Sequence, residues 1–485
     1  MFRRSCSTTA FAALLALAVR FALAPAGEAQ AGGFYVPEVG VRAVGMAGAA
    51  VADAQSPSAV FHNPAGLLGV GRGELELGGD LVLPDVAYFR RPIVDPNNGQ
   101  TVNFNEAANS NRAGGVPFLA ARLDLGRPDL AAGLGAYVPF GATLQFPTDG
   151  AQRFVVTEVA LRTLYLGPAI AWRPLDRLTV GLSVSYVYAD FALSQRNALQ
   201  FVTGDPEATP NPDAGVEGNT RIEARDPFSL AATAGVQFGR PDDPFTLGLA
   251  VMAPTRLDLG GSAEVSNPAI MPIDDGSGGT LPAGRRQDDV RMELPLPLVV
   301  RAGVQVRPTQ SLTLALDVNW QRWSTNRRLV IDFAHQYPLL LTPGATMSDV
   351  TLDNHWRDTL SVRLGAEGQP FELPLALRGG LLFDQSPIDD RRFDLLTPDS
   401  DKLGVSVGAS YRLAWGSRSV VLEAAFLQLF YRQRDIGPSD LVDPDSGRAY
   451  PGSDRTILNK PAPSFFYGIT RTRISLLALG ARLGF

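Results

Sequence analysis

Leu312-Thr313-Leu314-Ala315-Leu316-Asp317-Val318-Asn319-Trp320-Gln321 puts an apolar side chain at every even position and mostly polar ones at the odd positions. Successive side chains of an extended chain point to opposite faces, so this stretch reads as a strand with one greasy and one polar face. The pattern recurs. Leu178, Val180, Leu182, Val184, Tyr186 and Tyr188 alternate with Thr179, Gly181, Ser183 and Ser185. Leu403, Val405, Val407, Ala409, Tyr411 and Leu413 alternate with Lys402, Gly404, Ser406, Gly408, Ser410 and Arg412. Such runs exceed the roughly five or six residues of a globular strand and suit the roughly 9–11 of a tilted membrane strand.

The connections repeat just as regularly. Six are short and turn-like, at 126–129, 173–177, 239–244, 307–311, 368–374 and 414–418, and several carry Arg-Pro followed by Asp. Proline presets φ at the second turn position, and Asp bonds back to the backbone. Long stretches rich in Asp, Asn, Gly and Pro lie between them, at 194–226, 264–289, 332–358 and 433–460. Short turns alternating with long loops are the asymmetry of an outer-membrane barrel. Six hairpins, a first strand near 74–88 and a last near 473–485 give fourteen strands. An even count leaves both termini on the periplasmic side. In the last strand Leu477, Leu479, Ala481, Leu483 and Phe485 share one face, and pairing it with the first strand removes both sheet edges. The fold class read here is therefore an all-β membrane protein: a 14-stranded antiparallel transmembrane β-barrel. A secreted soluble all-β protein is the alternative, with shorter strands and more even loops.

Composition narrows the setting. The chain has 485 residues, 45% hydrophobic and 19% charged, which excludes a disordered polymer. A net charge of -6 points away from nucleic acid as partner. The 49 glycines and 37 prolines favour turns over long helices. Residues 1–31 read as a secretory signal peptide: Arg3 and Arg4, an apolar run at 11–19, and Ala29-Gln30-Ala31 as a small-x-small cleavage site, with Arg20 interrupting. The single cysteine, Cys6, lies within it, so the mature chain is expected to hold no disulfide. No later run approaches the roughly 20 apolar residues of a spanning helix. An exported chain of this kind is either soluble or a barrel in a Gram-negative-type outer membrane.

Residues 32–72 carry no strong alternation. They contain Gly32-Gly33-Phe34-Tyr35, the small-residue run Gly40 to Ala49, and Phe61-His62-Asn63-Pro64-Ala65-Gly66-Leu67. A compact small-residue segment of this length fits inside a fourteen-stranded lumen as a hatch, with residues 73–485 as the barrel. A free periplasmic tail is the other reading.

Several of these residues carry a resemblance. Gly33-Phe34, Gly45-Met46-Ala47-Gly48-Ala49, Ala52-Asp53 and Asn63-Pro64-Ala65-Gly66 resemble the N-terminus of the FadL-type outer-membrane transporters of hydrophobic compounds. Val138-Pro139-Phe140-Gly141, Asn319-Trp320-Gln321-Arg322-Trp323-Ser324, Phe383-Asp384-Gln385-Ser386-Pro387 and the terminal Phe485 agree, so the likeness spans essentially the whole mature chain in order. The resemblance implies a fourteen-stranded barrel and a lumen-filling hatch that includes Asn63, Pro64 and Ala65. It implies capture of a hydrophobic small molecule, such as a long-chain fatty acid, at the external loops. It also implies passive release through a gap where strand three is kinked.

Strand three is expected over 131–140. Gly133 and Gly135 permit a bulge, and Pro139 and Gly141 interrupt a ladder. The alternative is that Pro139 and Gly141 merely begin a loop. Fatty-acid members of the family hold the carboxylate with basic side chains. Here Asp190 follows Val187-Tyr188-Ala189 where Arg is expected, and Val330 stands where Lys is expected, preceded by Arg327 and Arg328. A buried Asp190 would repel a carboxylate. An aromatic or other neutral hydrocarbon is therefore the competing ligand. Phe140, Phe146 and Phe154 are candidate apolar contacts, and Arg327 and Arg328 candidate head-group contacts.

Two other functions are weighed. A hydrolase would need a strand-borne Ser/His pair, and the three histidines, His62, His335 and His355, form neither that nor a metal-ligand spacing. No enzyme activity, cofactor or metal is expected. A polar diffusion porin would need an open lumen. The partners expected are the hydrophobic ligand and outer-membrane lipid, around a monomer.

Overall fold

The computed structural model describes residues 35–53, 56–69, 73–94, 101–110, 113–198, 217–266, 273–274, 280–281, 284–335, 337–338, 346–347, 349–352, 354–370, 373–390, 393–415, 418–437 and 467–485. The signal segment 1–31, the start of the predicted hatch and parts of the long loops lie outside the described residues.

Among the described residues fourteen strands form one antiparallel ring. They are β1 (Gly73–Arg90), β2 (Gly114–Arg127), β3 in two arms (Leu130–Tyr137 and Gly141–Gln145), β4 (Glu158–Leu175), β5 (Leu178–Ala198) and β6 (Glu217–Phe238). β7 has arms Phe245–Met252 and Thr255–Ser266, β8 Arg285–Leu296 and Val299–Thr309, β9 Leu312–Gln321 and Leu329–Phe333, and β10 Val350–Leu352 and Thr359–Gly368. β11 (Leu375–Asp384), β12 (Lys402–Trp415), β13 (Arg418–Tyr431, then Arg434–Ile436) and β14 (Gly468–Gly484) complete it. Each strand pairs with its neighbours in sequence, and β14 closes onto β1 from Glu74↔Gly484 to Arg90↔Gly468. A closed ring satisfies backbone N–H and C=O groups within the sheet, which a bilayer interior demands.

Alternation sorts the side chains as a membrane requires. In β9, Leu314, Leu316 and Val318 are exposed, whereas Asp317, Asn319 and Gln321 are buried. In β14, Leu477, Leu479 and Leu483 face outward while Arg482 is buried. The apolar face is thus the outer one. No helix among the described residues is long and apolar enough to cross a membrane.

The short connections fall where the sequence places them. At the first, Gly126 adopts φ of +77°, its N–H donates to Asp124 at 2.9 Å, and Arg127 pairs with Asp129 at 2.6 Å. Residues 416–417 of the sixth lie outside the described residues.

Residues 35–69 are enclosed by the ring. They form helix α1 (Val41–Gly45), helix α2 (Ala59–His62) and a 3-10 turn (Pro64–Leu67), nearly all of it buried. Glycines in six strands let the wall come close to this segment. A Cβ added at Gly181 in β5, Gly235 in β6 or Gly248 in β7 would run into Pro64 and Ala65, Asn63, or Val51. One added at Gly365, Gly380 or Gly408, in β10, β11 and β12, would lie 2.9 Å from Met46, 2.6 Å from the Met46 carbonyl carbon and 3.0 Å from Gly45 Cα. Backbone approaches this close exclude any side chain.

Candidate functional site

The irregular part of the wall is β3. Its first arm pairs with β2 from Asp124↔Ala131 to Leu119↔Ala136, and with β4 as far as Tyr137↔Tyr165. Val138, Pro139 and Phe140 then leave the ladder. The second arm resumes pairing with β4, from Gly141↔Arg162 to Gln145↔Glu158, and among the described residues it does not pair with β2. Strand three, expected as one run over 131–140, is therefore two arms with a three-residue break. Proline removes a ladder donor at the break. Across it, residues 114–118 keep their pairing with β1 only, among the described residues. Pro117 again lacks an N–H, and Gly115 has open space where a Cβ would stand. The Ser110 N–H donates to the Gln145 carbonyl at 2.7 Å and bounds the interruption. Gly133 and Gly135 sit within the paired arm instead. A Cβ at either would meet Leu67 at 2.9 Å or Val60 at 2.7 Å, so they admit the enclosed segment.

That segment is fastened to the break. The Val36 N–H donates to the Pro139 carbonyl at 2.8 Å, and Tyr35 forms an isolated bridge with Phe140. The Thr163 hydroxyl donates to the Phe140 carbonyl at 2.5 Å. Arg301 of β8 donates to the Tyr35 hydroxyl at 2.7 and 3.0 Å, and to the carbonyls of Phe61 and His62 at 2.7 and 3.2 Å.

Further buried charges hold the rest of the segment. Arg42 makes a two-pronged pair with Glu367 of β10 at 3.0 Å on each prong and also pairs with Asp53. Glu367 in turn accepts from Arg378 of β11. Arg363 donates to Glu38 at 2.6 Å and to the Ala47 carbonyl at 3.1 Å. One oxygen of Asp317 accepts the N–H groups of Ala50 and Val51 at 2.7 and 2.9 Å. Asn63, fully buried, caps the 3-10 turn by accepting from Ala65 N–H at 3.1 Å, and its amide donates to Val51 and Val236 carbonyls at 2.9 and 3.1 Å. Pro64 opens that turn, where a missing N–H costs nothing. His62 lies against the Val39 carbonyl at 2.7 Å. Burial pushes its imidazole down to about 3, Arg301 and Arg363 push the same way, and the Val39 carbonyl opposes them.

An aromatic series leads from the break to a pocket. Ring centroids are 5.2 Å apart for Tyr35–Phe140, 6.4 Å for Phe140–Trp323 and 5.2 Å for Trp323–Trp356. Trp356 lines the pocket together with Phe191, Met292, Leu294, Ile331 and other apolar side chains. The polar lining is Asn326, Asn354, Asp394 and Thr397, and no Lys, Arg or His lines it among the described residues.

Phe140, Phe146 and Phe154 are buried in the same apolar cluster as Phe191, Leu294 and Trp356. Arg327 and Arg328 are exposed, between Asn326 and Leu329, which line the pocket. Asp190 carries an ion pair with Arg162 on the adjoining strand at 2.8 Å, so its charge is compensated. Sequence reading missed Arg301 and Arg363, whose only signal is Arg at an inward position of an alternating strand. It also missed Trp356, Asn354 and Leu396, which stand in segments without periodicity.

Residues 22–454 match the model of the family described as outer membrane protein transport protein (OMPP1/FadL/TodX). The chain belongs to this family. As a FadL-type chain it lies in the outer membrane, and its family transports hydrophobic substrates across that membrane. A putative outer membrane protein of Neisseria meningitidis serogroup B is 24% identical over 441 residues, covering 86% of this chain and 89% of the relative. Among solved structures, a Pseudomonas aeruginosa FadL homologue matches with TM-score 0.72 and 18% identity over 93% of this chain and 99% of that one. The Pseudomonas putida toluene transporter TodX matches with TM-score 0.63 and 17% identity, over 93% and 99%. The Ralstonia pickettii toluene transporter TbuX gives 0.61 and 17%, over 92% and 99%. At these identities the structures share this FadL-type chain's fold.

Proposed function

We propose that this protein passes neutral hydrophobic small molecules inward without energy input. The ligand is caught in the apolar pocket. The hatch, residues 32–72, shifts within the barrel of residues 73–485, and the ligand leaves sideways at the interrupted β2–β3 ladder. The observation that carries this reading is the aromatic series Tyr35–Phe140–Trp323–Trp356, which joins the hatch, the strand break and the pocket. Movement of any member disturbs the next, so a filled pocket and an opened break are mechanically linked. The pocket lining supports a neutral ligand: among the described residues it offers no cation to a fatty carboxylate. The likeness in fold to two toluene transporters agrees.

Uptake of radiolabelled toluene and of a labelled long-chain fatty acid by cells expressing the protein, against cells lacking it, tests this. Toluene uptake should rise and fatty-acid uptake should not. A rise in fatty-acid uptake alone would overturn the neutral-ligand reading. Deleting residues 32–66 should raise ion conductance, and unchanged conductance would remove the hatch.

A further inference from the structure

The outer face of β6 changes character at one point. From Phe228 to Phe238 its exposed large side chains are apolar: Phe228, at 65% exposure, then Leu230, Val236 and Phe238. On the other side of that point the exposed side chains are Arg221, Glu223 and Arg225. The turn at 239–244 is one of the short, periplasmic ones, so the charged stretch is the external end. The switch sits on a bulge. Asp226 pairs with Ala189 and Ser229 with Val187, so Pro227 and Phe228 together stand opposite Tyr188. One extra residue reverses the faces of everything beyond it. Ile222, Ala224 and Asp226 are buried on the external side of the bulge, and Ala231, Thr233 and Gln237 on the other. Without the extra residue, either Arg221, Glu223 and Arg225 or Leu230, Val236 and Phe238 would point into the lumen.

The bulge is fixed from several sides. The Asp226 carboxylate accepts the Phe228 N–H at 2.9 Å, the Ser229 hydroxyl at 2.7 Å and the Asp258 N–H of β7 at 3.0 Å. Tyr186 of β5 donates its hydroxyl to the Pro227 carbonyl at 2.6 Å, and its ring centroid lies 5.7 Å from that of Phe228. The neighbouring strands change in the same sense. Leu247, Leu249 and Val251 are exposed on the first arm of β7. On its second arm exposed Arg256 pairs with Glu293 of β8 at 2.9 Å, and Glu264 pairs with Arg285. Length decides where lipid ends. Phe228 to Phe238 covers roughly 33 Å of strand, or about 25 Å of depth at a tilt of roughly 40°, which is the height of the apolar band of such barrels. Nothing beyond the bulge is needed to cross the bilayer.

We propose that the Tyr186–Phe228 pair is a lipid anchor, held by the bulge at the boundary between head groups and acyl chains of the outer leaflet. The strands beyond it, to Glu217 in β6 and Arg285 in β8, stand clear of the membrane as a charged external wall. Aromatic rings favour the head-group level, where an apolar body and a polar tip both find partners. The wall's outward charges have no place in hydrocarbon.

Spin-label depth measurements test this on the full chain, with Cys6→Ser as background, in vesicles of phosphatidylcholine and phosphatidylglycerol. Nitroxides are placed at Glu223→Cys, Arg225→Cys, Leu230→Cys and Ala234→Cys, and their collisions with oxygen and with a neutral nickel chelate are compared. The oxygen-to-nickel ratio should be at least threefold higher at 230 and 234 than at 223 and 225. Equal ratios at all four sites would overturn the boundary. Low access to both reagents at 230 and 234 would also overturn the proposal, because protein rather than lipid would then cover the face. Phe228→Ala and the milder Phe228→Leu should each lower the ratio at 230 at least twofold, whereas Val236→Ala should leave it unchanged. Heat-shifted gel mobility reports whether each variant has folded. A ratio unaltered by both Phe228 changes removes the anchor.

Discussion

The N–H of Val36 donates to the carbonyl of Pro139 at 2.8 Å, so the enclosed segment is bonded to the residue at which the wall's ladder stops. The enclosed segment and the interrupted wall thus share a backbone hydrogen bond. Replacing Pro139 with Val restores an N–H and a strong strand former. The β2–β3 ladder should then extend, and ethylbenzene uptake by whole cells should fall several-fold with the barrel still folded. Unchanged uptake would count against a sideways exit.

Gly380→Val places a side chain where the Met46 carbonyl carbon leaves 2.6 Å for a Cβ. Overpacking of this kind costs about 1–3 kcal/mol. The expected result is a displaced hatch and raised ion conductance in planar bilayers. Gly260→Val is the control, because a Cβ there meets nothing within 4 Å. Equal conductance in the two variants would argue that the glycine wall does not seat the segment.

Glu367 answers two buried guanidinium groups, Arg42 at 3.0 Å and Arg378. Removing one partner of a buried ion pair costs about 3–5 kcal/mol, because the charges left behind stay buried. Glu367→Ala should loosen α1 and speed amide hydrogen exchange in residues 41–47 by orders of magnitude. Exchange at the natural rate would show that Asp53 suffices for Arg42.

Acid should unseat the hatch through His62. Its ordinary value of 6.5 falls to about 3 when the segment is docked, since burial opposes the charged imidazole. The undocked or unfolded chain binds the proton more readily, so the stabilisation is complete above pH 6.5 and is lost as pH falls towards about 3. Hydrogen exchange of residues 59–66 should accelerate through that window. His62→Gln, which keeps a donor for the Val39 carbonyl, should flatten the part of the pH dependence owed to this group. An unaltered profile in the variant would assign the acid response to carboxylates.

Strands, turns and ring closure were legible because period-two alternation is a local signal. Asp317 and Asn319 declare the inner face of β9 by polarity alone. Pro139 lacks an N–H and stands where the ladder stops, but Pro84, Pro117, Pro168 and Pro295 lie within paired strands, so the letter alone does not mark a break. The glycine wall was not legible. Gly181, Gly235, Gly248, Gly365, Gly380 and Gly408 look like ordinary small residues on a polar face, and their purpose depends on which backbone passes them. Arg301 is a similar case: its partners lie 266 and 240 residues away at Tyr35 and Phe61. The pocket draws on residues 326, 354–356 and 394–397, where no periodicity tells one side chain from its neighbour. Arg327 and Arg328 illustrate the cost, since they flank the pocket lining yet face solvent.

Glycine where the wall meets its contents makes the bore a cast of one particular peptide. Val41 lies against Gly78 of β1 and Gly480 of β14, the two strands whose pairing completes the circle. The seam is consequently sewn directly over the segment it encloses. A chain that zips shut too early would have to reopen that seam before its own beginning could be threaded home.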